Sequence, residues 1–256
     1  MSEQNYTLSA REFPVADKKT KPPRLNFPGV TLRIGPSDLT GDTIATVAVF
    51  NSANAKTGNV IQIYYIVVEH HPIDASKNLA DIAVCGNCPL KPSNNGKCYV
   101  RLGHGPHSVW TTFQNGRYPE LDKLPKSQRK AAMRLLKSKP IRLGAHGDPL
   151  ADIETSRYLA TINPDVLAYT HQWKPWRHDD NLRSFIMASV DSAEDYKYAK
   201  EHNWRTYRHT DEDLAFDNEI ICPHSSHGVQ CVDCLLCNGN NDNSSDRDIV
   251  VASIGA

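Results

Sequence analysis

The sequence predicts an α/β protein, a partial parallel (β/α) barrel carrying two cysteine-rich metal-binding loops. Three observations carry that expectation. Short apolar runs alternate with helix-like stretches through the middle of the chain, polar residues gather where those runs end, and all seven cysteines fall into two groups, at 85–98 and 222–237. Strands and helices alternating through short connections build parallel sheets. In a parallel barrel the C-terminal strand ends share one rim, where active sites form.

The elements follow in order. Residues 1–25 are polar, with Lys18, Lys19 and Lys21 just ahead of two prolines, and read as a disordered segment. Val60 to Val68 is a nearly continuous β-branched and aromatic run, suited to a strand buried on both faces. Ser127 to Lys137 reads as an amphipathic helix with Ala131, Leu135 and Leu136 among its apolar positions. Further strands are expected at 141–143, 166–169, 185–190 and 204–207. A helix over 192–202 has Ser192 as N-cap and two acids in its first turn. Ile220-Ile221 leads into the second cysteine loop. Residues 26–237 thus form the barrel-like domain. Residues 238–256 read as a polar tail, with a short strand expected over 249–254. A full eight-fold barrel needs roughly 200 to 250 residues, so about five or six strands fit once loops and tails are removed.

Composition narrows the function. The 256 residues carry zero formal net charge, which removes any global electrostatic pull toward nucleic acid. No apolar run reaches the roughly 18 residues of a membrane span, and the N-terminus lacks the apolar stretch of a signal peptide. A cytoplasmic protein is expected, and in that reducing compartment clustered cysteines point to metal ligation before disulfides.

Cys222, Cys231, Cys234 and Cys237 combine a C-x2-C-x2-C run with a remote Cys-Pro, spacing close to that of ferredoxin [4Fe–4S] ligands. Four thiolates saturate a centre, and structural zinc is the rival occupant. Cys85, Cys88 and Cys98 form a C-x2-C-x9-C wrapped by glycines and prolines. Three thiolates on a cubane leave one iron open for substrate or cofactor; zinc closed by His104 or His107 is the alternative. His171 and Asp191, each following an expected strand, are candidate substrate-facing groups, beside the alternatives of a core histidine and a helix cap. Trp110, Trp173, Trp176 and Trp204, with Arg101, Arg117, Arg177 and Arg183, are a candidate base-stacking patch, beside the alternative of the core role that aromatics more often take.

A cysteine triad after the first strong strand, Tyr99 beside its last cysteine and a partial barrel resemble the radical S-adenosylmethionine (SAM) enzymes. Residues 142–149, Arg-Leu-Gly-Ala-His-Gly-Asp-Pro, are similar to the Gly-Gly-Glu-Pro segment that holds the cofactor's amino group in that family. The triad departs from the family's C-x3-C-x2-C, and Asp148 stands where the family has glutamate. The resemblance implies a [4Fe–4S] cluster, or two, with SAM bound near Tyr99, Gly144, His146, Gly147 and Asp148. It further implies catalytic roles for Asp148, His171 and Asp191, and an external electron donor. The segments Cys-Gly-Asn-Cys-Pro (85–89), Gly-Asp-Pro (147–149), Tyr-Thr-His-Gln-Trp (169–173) and Ala-Ser-Val-Asp (188–191) also resemble cysteine-rich proteins encoded by bacteriophages. That likeness implies a DNA-modifying role, namely rearrangement of a nucleobase-linked group in thymine hypermodification. Two alternatives stay open. One is a zinc-dependent base-exchange enzyme resembling the tRNA-guanine transglycosylases, with Asp148 or Asp191 as nucleophile and base; the other is a non-catalytic, metal-stabilised phage regulator.

Overall fold

The computed structural model describes residues 25–210, 216, 218–240 and 247–252. The expected disordered segment, apart from Leu25, lies outside the described residues, as do residues 241–246 of the expected tail. Ten strands and nine α-helices occur among the described residues. In chain order they are β1 Gly29–Pro36, β2 Thr43–Val49, β3 Ile61–Val67, α1 Pro72–Lys77, α2 Ile82–Cys85, α3 Gly105–Gln114, α4 Lys126–Ser138, β4 Ile141–His146, α5 Ile153–Ile162, β5 Val166–Leu167, β6 Tyr169–Thr170, α6 Asp180–Arg183, β7 Met187–Val190, α7 Ala193–Glu201, β8 Thr206–Thr210, β9 Glu219–Ile221, α8 Pro223–His227, α9 Cys231–Cys234 and β10 Asp248–Ala252. None of these helices is long and apolar enough to cross a membrane.

The strands form two five-stranded sheets, ordered β1-β2-β3-β4-β5 and β6-β7-β8-β10-β9. All pairings from β3 onward are parallel, while β1, β2 and β3 pair antiparallel. The architecture is therefore mixed α/β with two partly or wholly parallel sheets, and no closed barrel is formed among the described residues. The two sheets are contiguous in the chain at one residue. Ala168 separates β5 from β6; its N–H donates to the Cys237 carbonyl (3.0 Å) while its own carbonyl accepts from Met187 N (2.9 Å). The single strand expected over 166–169 is split there because the second cysteine loop takes the ladder bond.

β3 is buried on both sides, as its uninterrupted apolar run requires. Ile61, Ile63, Tyr65 and Val67 enter the main core, and Ile66 enters a smaller core with Ala45, Val47 and Val109 of α3. α4 buries Ala131, Ala132, Met133 and Leu136. α7 begins where Ser192 caps it, accepting from Asp195 N at 3.1 Å. The antiparallel β1–β2 pair extends the first sheet and was not expected. Its turn is closed by backbone bonds between Ser37 and Asp42 (2.8 Å) and between Gly41 and Ser37 (2.8 Å).

Past residue 237 the expected tail is in part integral structure. Asn238 is buried and accepts from Arg205 (3.1 Å), and β10 inserts in parallel between β8 and β9, where the short terminal strand was expected. Its N-terminal Asp248 is fully buried and is bonded by Thr206 N (2.7 Å) and Lys200 Nζ (3.1 Å). Arg208 and Glu219 meet bidentately beneath this sheet, at 2.9 and 2.7 Å, with almost no solvent contact.

Candidate functional site

The C-terminal ends of β3, β4, β6, β7 and β8 open into one cleft enclosing about 1020 Å³, open solvent included. Val67, His146, Tyr169, Val190 and Tyr207 mark those five strands in its wall. The three cysteines of the first loop all line this cleft, together with Tyr99, Gly144, Gly147 and Asp148. His171 and Asp191 line it as well, so every residue expected at the cofactor and catalytic positions is brought to one place.

Local chain geometry explains how they converge. α2 ends in Cys85, and Gly86 turns the chain with φ 54°, a left-handed value that favours glycine. A Cβ at Gly86 would sit 2.5 Å from the Gln172 carboxamide, which bonds back to the loop through Gln172 Nε2 to Cys85 O (3.2 Å) and Asn87 N to Gln172 Oε1 (3.2 Å). Gly147, with φ 78°, lets the β4 exit press against β3 and α2; a Cβ there would meet Tyr65 and Val84 backbone oxygens at 3.0 and 3.1 Å. The next amide, Asp148 N, donates to Val84 O at 2.6 Å. The Gly-Asp-Pro segment is thus clamped against the helix that presents Cys85.

Asp148 is buried, and its carboxylate is well supplied with donors. Oδ1 accepts from Leu150 N (2.9 Å) and Thr170 Oγ1 (2.7 Å), and Oδ2 from His171 N (3.0 Å). Burial raises its pKa, and those donors and His171 offset part of the rise. It caps the turn at Pro149–Asp152 and ties β4 to the segment after β6. His171 Nε2 lies 3.2 Å from Asp191 Oδ2, an ion-pair distance with poor hydrogen-bond alignment. Burial alone would push the imidazole down, but Asp191 and the Cys88 sulfur outweigh it and lift its pKa to about 10. The alternative role of Asp191 as a helix cap does not hold, because Ser192 is the cap. Tyr99 leaves 44% of its surface exposed, yet its hydroxyl end is buried, receives Arg142 Nη2 at 3.3 Å, and its ring stacks on His209 at 5.7 Å. His146 is fully enclosed, and burial lowers its pKa to about 4.

All seven cysteines are free thiols. Among the described residues no three His, Cys, Asp or Glu side chains stand in a ready metal-holding arrangement. The donor chemistry nonetheless suits a cation. Cys85 is raised well above the ordinary thiol range by burial first, then by Asp81, Cys88, Cys98 and Asp148; Cys98 rises for the same leading reason. Thiols crowded together with carboxylates in a buried site stay protonated unless a metal supplies positive charge. Neither proposed histidine ligand lines the cleft with the triad; His107 Nδ1 is instead 2.7 Å from His71 Nε2.

The second group sits on the other side of the same wall. Cys222 packs with Tyr207, Met187 and Ile249, and Cys237 packs against that cluster with Tyr169. Its loop is tied to the strand-preceding segment 55–57, through Cys231 N to Lys56 O (3.0 Å), Val232 N to Thr57 O (3.1 Å) and Gln230 Nε2 to Ala55 O (2.9 Å). Burial raises Cys231, opposed by Arg142 and Lys56, and raises Cys237, opposed by Arg205. The proposed base-stacking patch is not assembled. Trp173 and Trp204 are core residues, with indole N–H groups bonded to Ser189 O (2.9 Å) and Arg177 O (3.1 Å), and Trp110 bonds Val67 O (3.1 Å).

The sequence reading passed over Asp81 and Lys91, both buried and both in the cleft wall. Asp81 lies four residues before Cys85, an acid next to a thiolate loop, which is the signal that was available. No family model, curated protein or solved structure matches the chain.

Proposed function

We propose that the cleft is the active site of a radical SAM-type enzyme, in which Cys85, Cys88 and Cys98 hold an iron–sulfur cluster with one open coordination position. The observation that supports this reading best is the convergence of the incomplete thiol set with Asp148, His171 and Asp191 at parallel strand ends. Five strands contribute to one cavity, which favours a curved, partial-barrel wall over a flat sheet. When bound, such a cluster supplies one-electron reduction of a chelated sulfonium cofactor, with the electron drawn from an external donor.

The chain's own residues supply the rest. Asp148, held by three donors, orients the β4 exit and presents carboxylate charge beside Cys85. The His171–Asp191 pair places a polar, oriented imidazole at the cleft wall, where it can position a polar group of substrate. Tyr99 and His209 offer stacked rings at the mouth for a planar group, which suits a nucleobase-linked substrate. The apolar wall of Val67, Val84 and Val190 excludes water from the reacting atoms. The second cysteine group, surrounded by Lys56, Arg142 and Arg205, acts as a saturated auxiliary centre that braces the wall carrying Tyr169 and Tyr207. The further reading, modification of thymine in phage DNA, rests on the sequence resemblance.

Anaerobic purification followed by iron, sulfide and zinc analysis tests the proposal. About eight irons per chain, and 5′-deoxyadenosine formed with dithionite and SAM, are the expected results. Colourless protein with stoichiometric zinc and no 5′-deoxyadenosine contradicts it and favours the zinc-dependent base-exchange reading.

A further inference from the structure

Asp81 directly precedes α2, whose first amides are already bonded to backbone carbonyls, Ala83 N to Ala80 O (3.2 Å) and Val84 N to Asp81 O (3.1 Å), so its side chain is not engaged in capping. It lines the cleft, 4% exposed, and neither carboxylate oxygen has a hydrogen-bond partner. The nearest cation, Lys91 Nζ, stands 4.0 Å from Oδ1, beyond hydrogen-bond reach, and is itself buried in the same wall. A buried carboxylate without donors is costly. The arrangement makes sense when a positively charged guest completes it.

We propose that Asp81 binds the primary ammonium group of the molecule that occupies the cleft. An ammonium carries three donors and matches two unpartnered carboxylate oxygens. Lys91, drawn off at 4.0 Å, keeps the carboxylate oriented without satisfying it and leaves its own charge for an anionic neighbour on the same guest. The inference rests on the cleft being a ligand site, as in the proposed function, but not on which metal the thiols hold. Two sources of the ammonium share this chemistry: SAM whose amino-acid end is not chelated by a metal, and an amine on a nucleobase-linked substrate.

Binding calorimetry on the full chain as purified without oxygen separates them. One arm compares SAM with its desamino analogue; the other compares 5-aminomethyl-2′-deoxyuridine with 5-hydroxymethyl-2′-deoxyuridine. The wild-type protein should prefer the ammonium partner of one pair by about 10- to 100-fold, and the arm that discriminates identifies the source. D81N should erase the preference and D81E should restore part of it. A preference that survives in D81N, or an absence of preference in both pairs, would overturn the proposal. Amine preference in a protein free of iron would sink the radical reading and leave Asp81 standing; 5′-deoxyadenosine formation without amine preference would do the reverse.

Discussion

The two cysteine groups differ in what surrounds them more than in their ligand count. The first hangs over the cleft, and the groups acting on its buried thiols are negative: Asp81, Asp148 and the other sulfurs. The second is fastened by backbone bonds at Lys56, Thr57, Ala168 and Val250; its sulfurs also raise one another, but cations, Arg142 and Lys56 at Cys231 and Arg205 at Cys237, oppose the rise. Arg205 is buried and bonds the carbonyls of Leu236 (2.9 Å), Gly239 (2.6 Å) and Arg247 (2.7 Å), so it clamps the loop as well as balancing its charge. A thiol set with cations among its neighbours suits a closed, structural role. One whose charged neighbours are all negative suits a site that opens to a guest.

The largest effect that would test this contrast is on stability. Replacing Cys231 and Cys234 by serine should cost on the order of 5 kcal/mol and lower the metal content, because a closed thiolate centre contributes its binding energy to folding. The same change at Cys85 and Cys88 should abolish SAM cleavage while lowering the thermal midpoint far less. Equal destabilisation by the two pairs, read by denaturant titration, would erase the distinction. Next, Glu219→Gln breaks the buried bidentate pair with Arg208 that anchors β9, the strand leading into Cys222. A loss of about 3–5 kcal/mol is expected, with metal loss confined to the second group.

A pH effect of about 2–3 kcal/mol should follow from His146 at the cleft. Its folded pKa, about 4, lies below the ordinary value of 6.5, so the unfolded chain takes up a proton first as pH falls. The stability contributed by neutral His146 is complete above pH 6.5 and is lost on acidification toward about pH 4. His146→Gln should flatten this part of the pH–stability curve, measured by denaturant unfolding at intervals across the window. The smallest effect is Ser192→Ala, which removes the α7 cap and should cost about 1 kcal/mol without altering metal content, read by denaturant titration and metal analysis.

Much of this arrangement was legible in the sequence where a single physical signal dominates. The apolar run at 60–68, the period of 127–137 and the cap at Ser192 each became the element they announced. The β1–β2 hairpin was missed because β1 is only half buried along its length and so carries no sustained alternation. The split at Ala168 was invisible because its cause is a carbonyl 69 residues away, at Cys237. Convergence of Asp148, His171 and Asp191 on the thiols followed from strand-end logic, whereas the importance of Asp81 depends on a bond it fails to make, which only coordinates can reveal. Trp173 and Trp204 fill the core role that aromatic residues more often take, in place of the base-stacking alternative.

The central claim is that the first thiol group holds a cluster with an open iron. Electron paramagnetic resonance on the reduced wild-type protein beside C85S/C88S tests it most directly, since the part of the signal lost in that variant belongs to the first group. A cubane-type signal that shifts when SAM is added is the predicted result. A protein that takes up zinc alone, or a cluster signal indifferent to SAM, would contradict it.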